Sequence, residues 1–219
     1  MNQSAITNYI DHTKLHPTTS REDVIQLCKE AIDHNFAAVC INPCFVSLAA
    51  KELGQSIVKV CTVVGFPLGA NTSEAKAYET ELAVQQGATE IDMVINIDAL
   101  KQNDYEYVKK DIQAVVEASR DHAIVKVIIE TCYLSNEEIV KACELALEAK
   151  AHYVKTSTGF GSAGAKVEDI ELMRHTVGDL MGVKASGGIK DLNTALAMIR
   201  AGASRIGTSS GIIISTTHN

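Results

Sequence analysis

Short apolar runs rich in β-branched residues recur along the chain and alternate with segments of helical periodicity. Seven such runs predict strands, over residues 37–41, 57–64, 90–95, 124–130, 151–156, 182–185 and 204–207. Apolar residues recur at helical spacing between most of the runs, as at Val108, Ile112 and Val115. Strands that alternate with helices predict a parallel sheet.

An eighth strand would close this sheet, and the segment around Tyr9 to Asp11 can supply it if the preceding residues form a small helix covering the barrel's bottom. Eight strand and helix units predict an α/β fold, a (β/α)8 TIM barrel forming a single domain over residues 1–219. A doubly wound sheet is the alternative. It usually has a glycine-rich turn after its first strand, which AspHisThrLysLeuHis does not offer.

Three helices have individual signals. Ser135, followed three residues later by Glu138, is a capping box. Residues 71–76 are expected to begin a helix, whereas the helix predicted over residues 47–54 is the weakest because it is short.

Composition and charge exclude several classes of protein. The formal net charge is −7, with 20 basic residues scattered among 27 acidic ones, whereas nucleic-acid binding needs clustered Lys and Arg. Any anionic ligand must therefore be held locally. No segment reaches the roughly 18 apolar residues of a membrane span, so no membrane role is predicted.

The six cysteines include no C-x-x-C pair, which argues against a zinc site and a disulfide framework. Reduced thiols indicate a cytoplasmic protein. Cys40 is expected to be a buried, small apolar residue. His12 and His16 have no carboxylate at metal spacing, so neither a metal nor another cofactor is predicted.

Active sites of such barrels lie at the carboxyl ends of the strands, where the predicted runs here become polar. The residues found there are Asp11, Cys40, Asn42, Asp92, Asn96, Glu130, Thr131, Lys155, Thr156, Lys184, Ser186, Gly207 and Ser209.

Lys155 and Lys184 are the foremost candidates, because desolvating an ammonium group is unfavourable unless chemistry uses it. They end consecutive predicted strands, whose backbones lie about 4.8 Å apart. Two unit charges about 5 Å apart repel by roughly 3 kcal/mol, enough to lower one amine's pKa by about two units. A neutral amine can form a Schiff base with a carbonyl. The alternative is that either lysine reaches solvent or pairs with Asp92 or Glu130.

Two aspartates are candidates for supporting roles. Asp92 lies one residue into an apolar strand, where it could relay protons or act as a structural counter-ion to one lysine. Asp11 could hold a substrate hydroxyl or merely cap a turn.

Glycine-bearing turns at residues 186–188 and 207–211 follow the last two strands, where barrels often bind phosphate through backbone N–H groups. Hydroxyl groups of Ser209 and Ser210 would add donors. Either turn taken singly could be just a tight connection, but the pair favours phosphate binding. A third loop, at 156–161, is expected at the same carboxyl end of the predicted barrel.

Seven stretches resemble the deoxyribose-phosphate aldolase family, and the resemblance covers nearly the whole chain. They are IleAspHisThrLysLeu at 10–15, AlaAlaValCysIleAsnPro at 37–43, ValValGlyPheProLeuGly at 63–69, GluIleAspMetValIleAsn at 90–96, TyrValLysThrSerThrGlyPhe at 153–160, ValLysAlaSerGlyGlyIle at 183–189 and ArgIleGlyThrSerSer at 205–210. The last three are the most specific.

The resemblance implies a class I aldolase that reversibly cleaves 2-deoxy-D-ribose 5-phosphate into acetaldehyde and D-glyceraldehyde 3-phosphate without a metal. Lys155 would form the Schiff base, Lys184 would perturb its pKa, and Asp92 would take part in proton relay. The predicted substrate-binding residues are Asp11, Thr156, Gly159, Gly187, Gly188, Gly207, Ser209 and Ser210.

Two positions depart from the family pattern. Some members carry a phosphate-assisting lysine where this chain has Phe160, so phosphate holding would depend on the glycine turns and serines. Some members also end in a tail with a tyrosine that assists donor protonation, whereas this chain ends SerThrThrHisAsn. Donor protonation would then be slower or depend on water.

Two other functions remain open at this point. One is a transaldolase-like Schiff-base aldolase acting on another sugar phosphate, and the other is a non-catalytic sugar-phosphate-binding barrel. A pure binder would have no physical reason to keep Lys155, Lys184 and Asp92 together. The family commonly forms dimers, so a homodimer is expected, although no interface can be identified from the sequence.

Overall fold

The computed structural model describes residues 6–119 and 122–217, and its eight parallel strands form one closed barrel in sequence order. The strands are β1 Ile10–Lys14, β2 Ala38–Ile41, β3 Lys59–Val64, β4 Glu90–Val94, β5 Ile124–Ile128, β6 Tyr153–Lys155, β7 Gly182–Ser186 and β8 Arg205–Thr208. Pairing of Asp11 with Gly207 closes the barrel between β1 and β8. The predicted (β/α)8 barrel is confirmed. A single domain over all of residues 1–219 stays a prediction, since the described part omits both ends.

Helices follow the strands along the described chain. They are α1 Arg21–His34, α2 Val46–Leu53, α3 Ser73–Gln85, α4 Ile97–Lys101, α5 Tyr105–Ser119, α6 Asn136–Glu148, α7 Val167–Val177, α8 Leu192–Arg200 and α9 Gly211–Thr216. The capping box of Ser135 and Glu138 is present at the start of α6. The short helix after β2 and the helix expected to begin at residues 71–76 also form, as α2 and α3.

The seven predicted runs match β2 to β8 to within two residues at each end. Differences at β1 and β5 have consequences for the residues beside them. Tyr9 belongs to a 3-10 helix, Thr7–Tyr9, and β1 runs from Ile10 to Lys14 instead. The helix expected before the first strand falls partly on residues 1–5, outside the described residues. The strand predicted over 124–130 ends at Ile128, because Glu130 has a left-handed backbone (φ 55°, ψ 65°) that cannot continue a strand.

Alternation along the strands separates an apolar layer from a charged one. On β4, Ile91 and Met93 belong to the main hydrophobic cluster, whereas Glu90 and Asp92 form ion pairs with residues of other strands. Successive side chains of a strand point to opposite faces. The hydrophobic core therefore lies between barrel and helices, and the charged side chains lie inside the barrel. None of the helices in the described chain has the length and apolar character needed to cross a bilayer.

Candidate active site

A cluster of seven charged side chains occupies the barrel interior. Its members come from six strands and are Asp11 on β1, Glu90 and Asp92 on β4, Lys126 on β5, Lys155 on β6, Lys184 on β7 and Arg205 on β8. Six of them are at most 3% exposed, and the Arg205 side chain is 11% exposed. We call this set the barrel charge cluster.

Asp92 lies at the centre of the cluster. Its Oδ2 accepts hydrogen bonds from the ammonium groups of both Lys155 and Lys184, each at 2.7 Å, and its Oδ1 accepts one from Lys126 at 2.8 Å. Burial favours the neutral acid, but these three cations outweigh it and hold the pKa of Asp92 well below its usual range. Asp92 is therefore a carboxylate shared by three amines.

The predicted convergence of Lys155 and Lys184 is confirmed. The two residues are register partners on β6 and β7, and their nitrogens contact one oxygen atom. The two side chains share one environment. Asp92 also acts as a counter-ion, as the alternative had suggested. Glu130, the other partner considered, instead bonds to Thr158.

Lys184 is fully buried and has a second carboxylate partner, because its ammonium group also donates to Asp11. Burial alone would lower the pKa of Lys184, but Asp11 and Asp92 together raise it above the ordinary value for lysine. Gly207 makes room for this side chain, since a Cβ there would lie 3.1 Å from the Lys184 Cε. Lys184 is thus a permanent cation beside Lys155.

Asp11 lies within β1, so the alternative that it caps a turn is wrong. Besides Lys184 it accepts a hydrogen bond from Arg205, 2.5 Å away. Burial raises the pKa of Asp11, but Lys184, Arg205 and Lys126 lower it further than burial raises it. Asp11 is fully buried, and its visible role is to hold Lys184.

Three members of the cluster escaped the sequence analysis. Lys126 pairs with Glu90 at 2.6 Å, and Arg205 pairs with the same carboxylate at 3.0 Å. Lys126 interrupts the apolar run at 124–130, and Glu90 begins the run at 90–95. The signal for these residues is the same as for Asp92, namely a charged side chain within or at the start of an apolar strand.

The cluster holds four basic groups against three carboxylates, so full ionisation leaves it with one positive charge in excess. An uncompensated charge in a buried site is unfavourable. Release of one proton from a lysine would make the cluster electrically neutral.

A cavity of about 510 Å³ opens beside the cluster, and Lys155 is the one cluster member that lines it. Five predicted site residues line it as well, namely Gly159, Gly187, Gly188, Gly207 and Ser209. They come from the segments at and after β6, β7 and β8, as expected for the carboxyl end of a barrel. The reactive amine and the glycine turns therefore share one chamber.

Three predicted substrate-binding residues do not line this cavity, namely Asp11, Thr156 and Ser210. Thr156 is fully buried, and its hydroxyl group donates to the Ser186 carbonyl at 3.2 Å and accepts from the Ser186 N–H at 3.1 Å. This position gives no support to substrate contact by Thr156, because the hydroxyl is used to join β6 to β7. Ser210 lies next to Ser209, and its N–H donates to the Thr208 hydroxyl at 2.9 Å.

The turn after β7 has a backbone conformation that favours glycine at residues 187 and 188. Gly187 has φ +84°, and a Cβ there would lie 2.9 Å from the Gly164 Cα. Gly188 has φ +78° and open space around the Cβ position. Lys190, which the sequence analysis also missed, is exposed, lines the same cavity and supplies a cation beside this turn.

Cys40 is fully buried in a small cluster inside the barrel and is the register partner of Cys61, as expected for a small apolar residue. Cys40, Cys61 and Asp92 bring possible metal ligands within 4.8 Å of one another, as do Asp11, Cys61 and Glu90. The carboxylates of both trios already accept ion pairs from lysines. Those ammonium groups supply the positive charge that a metal would bring, so the donor set fits lysines better.

Comparison with known proteins agrees with this geometry. Residues 5–214 match the model of the DeoC/LacD family aldolase. The chain is 59% identical to a deoxyribose-phosphate aldolase of Clostridium novyi over 95% of this chain and 94% of that protein. It is also 59% identical to the Clostridium perfringens protein of the same name, over 98% and 96%. A structure of deoxyribose phosphate aldolase from Aeropyrum pernix, described as tetrameric, superposes with a TM-score of 0.90 at 34% identity, covering 98% of this chain and 91% of that one.

Proposed function

This chain belongs to the DeoC/LacD family of aldolases, and we propose that it reversibly cleaves 2-deoxy-D-ribose 5-phosphate into acetaldehyde and D-glyceraldehyde 3-phosphate through a lysine Schiff base. The observation that carries the proposal is the sharing of the Asp92 Oδ2 by Lys155 and Lys184 at 2.7 Å each. It places a reactive amine, a fixed cation and a carboxylate at one point.

Lys155 is the nucleophile in this proposal. It alone among the cluster's lysines lines the cavity, so an aldehyde can reach it. Its nitrogen and that of the fixed Lys184 cation contact the same Asp92 oxygen. The free amine adds to the C1 carbonyl of the sugar phosphate, and loss of water gives the imine.

The imine then accepts the electrons released on cleavage. The C3 hydroxyl loses its proton, the bond between C2 and C3 breaks, and the electron pair forms an enamine bound to Lys155. Protonation of the enamine and hydrolysis release acetaldehyde. Asp92 contacts the Lys155 nitrogen directly, so it is placed to relay these protons, either itself or through a water molecule.

The phosphate group is held in this proposal by the glycine turns that line the cavity. Gly187, Gly188, Lys190 and Ser209 line the cavity, and we assign the anion to the backbone N–H groups of the first two and of Ser209 and to the Lys190 cation. Phe160 also lines the cavity and brings no charge. The local cation and the glycine turns thus overcome the protein's overall negative charge.

The cellular setting completes the proposal. All six cysteines are free, which is consistent with a cytoplasmic protein. The partners are a small sugar phosphate and small aldehydes, with no metal or other cofactor. We also propose a homodimer, in contrast to the tetramer described for the Aeropyrum pernix protein.

Two measurements test the reaction and its nucleophile. Cleavage of deoxyribose 5-phosphate is followed with a chelator present, where turnover is expected to continue. The protein is then incubated with acetaldehyde and borohydride, which converts an imine to a stable N-ethyl-lysine. Peptide mapping is expected to find this group on Lys155, and no modified lysine would favour a non-catalytic sugar-phosphate binder.

Matched variants separate chemistry from folding. Lys155→Leu should abolish both turnover and trapping. Lys29→Met, at an exposed lysine on α1, should leave both unchanged. Turnover that survives in Lys155→Leu would overturn the assignment of the nucleophile.

A further inference from the structure

Glu130 lies outside the cavity lining, yet its side chain reaches a loop that forms the cavity wall. The residue follows β5, is 2% exposed and has φ 55° and ψ 65°. Non-glycine residues rarely adopt this left-handed conformation, and they keep it where surrounding structure requires it. The hydrogen bonds of the Glu130 carboxylate show which neighbouring structure keeps the residue in this conformation.

The Glu130 carboxylate binds one residue of the loop after β6 through both of its oxygens. Oε1 accepts the backbone N–H of Thr158 at 3.0 Å, and Oε2 accepts the Thr158 hydroxyl. The Thr158 Oγ1 in turn accepts the backbone N–H of Phe160 at 3.0 Å. One carboxylate therefore sets the path of three consecutive residues, 158–160, and all three line the cavity.

Packing on both sides of the loop agrees with a defined position. A Cβ on Gly161 would lie 2.8 Å from the Cys132 Sγ and 3.3 Å from the Glu130 Cδ, so the chain passes directly over the carboxylate. The Phe160 ring meets Phe66, from the loop after β3, edge to face with 5.3 Å between ring centroids. The loop is thus held by the Glu130 carboxylate through Thr158 and by Phe66 through the Phe160 ring.

We propose that Glu130 is a positioning residue that fixes the 158–160 segment as the wall against the distal, phosphate-bearing part of the substrate. This inference rests on the proposed function, because that segment begins three residues after Lys155 and faces the same cavity. Glu130 touches neither Lys155 nor Asp92 in any contact described for it. Its loss should therefore affect substrate binding and spare imine formation with a two-carbon aldehyde.

Glu130→Gly and Glu130→Gln test the proposal as a pair. Glycine adopts φ +55° freely, so Glu130→Gly removes the carboxylate without backbone strain. Glutamine can accept the Thr158 N–H and donate to its hydroxyl. Because buried hydrogen bonds to charged groups are among the stronger ones, the glycine variant should raise KM for deoxyribose 5-phosphate by about tenfold or more. The glutamine variant should stay within about threefold of the wild type.

Two further readouts distinguish positioning from general stability. Trapping of acetaldehyde on Lys155 should be equal in Glu130→Gly and the wild type. Backbone N–H groups of Thr158 and Phe160 should exchange with deuterium faster in Glu130→Gly, and Glu171→Gln, at an exposed glutamate on α7, should change neither KM nor exchange.

The inference is overturned if Glu130→Gly leaves KM and exchange unchanged, or if trapping falls in parallel with turnover. A wild-type protein that neither cleaves the sugar phosphate nor traps acetaldehyde would instead refute the proposed function. The exchange result does not depend on turnover, so the two failures can be told apart.

Discussion

Lys155 and Lys184 are register partners on neighbouring strands, and their ammonium groups donate to the same oxygen of Asp92, each at 2.7 Å. One of the two lines the cavity and the other is fully buried. Asp11 and Asp92 keep the buried lysine charged. Lys155, which lines the cavity, is therefore the one that an aldehyde can reach.

Removal of the fixed cation should shift the pH dependence of the reaction. Lys184→Met removes the cation that shares the Asp92 Oδ2 with Lys155, and with it the like-charge repulsion between the two amines. We expect the acidic limb of kcat/KM to move by about two pH units toward alkaline pH. Turnover of deoxyribose 5-phosphate across pH measures the shift, and Lys29→Met serves as the control. A variant whose profile is unchanged would remove this account of activation.

Acid should destabilise the fold through Asp92 and Asp11. Both carboxyl groups have pKa values below their ordinary ones in the folded protein. Their contribution to stability is full above the unfolded value of about 3.9 and is lost as pH falls through the folded values. Urea unfolding should give a free energy that declines below about pH 4, and less steeply in Asp92→Asn. Equal slopes in the two proteins would contradict the prediction.

Lys190 should matter for the phosphate and not for the aldehyde. Lys190→Ala removes the cation beside the Gly187–Gly188 turn, and we expect KM for deoxyribose 5-phosphate to rise roughly tenfold. KM for unphosphorylated deoxyribose should not change. Lys29→Ala tests for a general effect of surface charge. An equal increase in KM for both substrates would mean that Lys190 does not act through the phosphate group.

A second buried ion pair supports the fold away from the cavity. Lys76 on α3 pairs with Asp111 on α5 at 2.5 Å, and both side chains are fully buried. Lys76→Met leaves the carboxylate without its cation, which should lower the free energy of unfolding by about 3–5 kcal/mol. Urea unfolding measures the loss.

Two comparisons test the cause of that loss. The double variant Lys76→Met/Asp111→Leu should lose less stability than Lys76→Met, because no buried charge is left unpaired. Lys101→Met breaks a partly exposed pair with Glu138, and it should lower the free energy of unfolding by about 1 kcal/mol at most. Equal losses in Lys76→Met and Lys101→Met would argue against burial as the cause.

Most of the barrel could be predicted from the sequence because its signals are local. Strand runs, helical periodicity and the capping box of Ser135 and Glu138 depend on residues a few positions apart. Lys155, Lys184 and Asp92 were also identifiable, since charges that close or enter apolar runs need a reason to be buried. The two lysines end consecutive strands, so their proximity could be expected, whereas their pairing in register is seen in the closed barrel.

Other features needed the tertiary structure because they depend on residues distant in sequence. Lys126 becomes a member of the charge cluster because β5 pairs with β4, which carries Glu90, and Arg205 because β8 faces Glu90 across the barrel. Thr156 has the residue type of a ligand contact, yet its hydroxyl is used by the next strand. Hydrogen bonding depends on which partner lies within reach, and no local pattern contains that information.

The sequence by itself determined the order of strands and helices, the type of fold and the two lysines at the centre of the chemistry. Only the tertiary structure decided that Lys184 is held as a cation, since that depends on the carboxylates of Asp11 and Asp92 converging on it. It also decided the role of Glu130, whose side chain acts on a loop 28 positions further along the chain. Local free-energy preferences act along the chain, whereas electrostatic and hydrogen-bond energies depend on distances that exist only after the barrel closes.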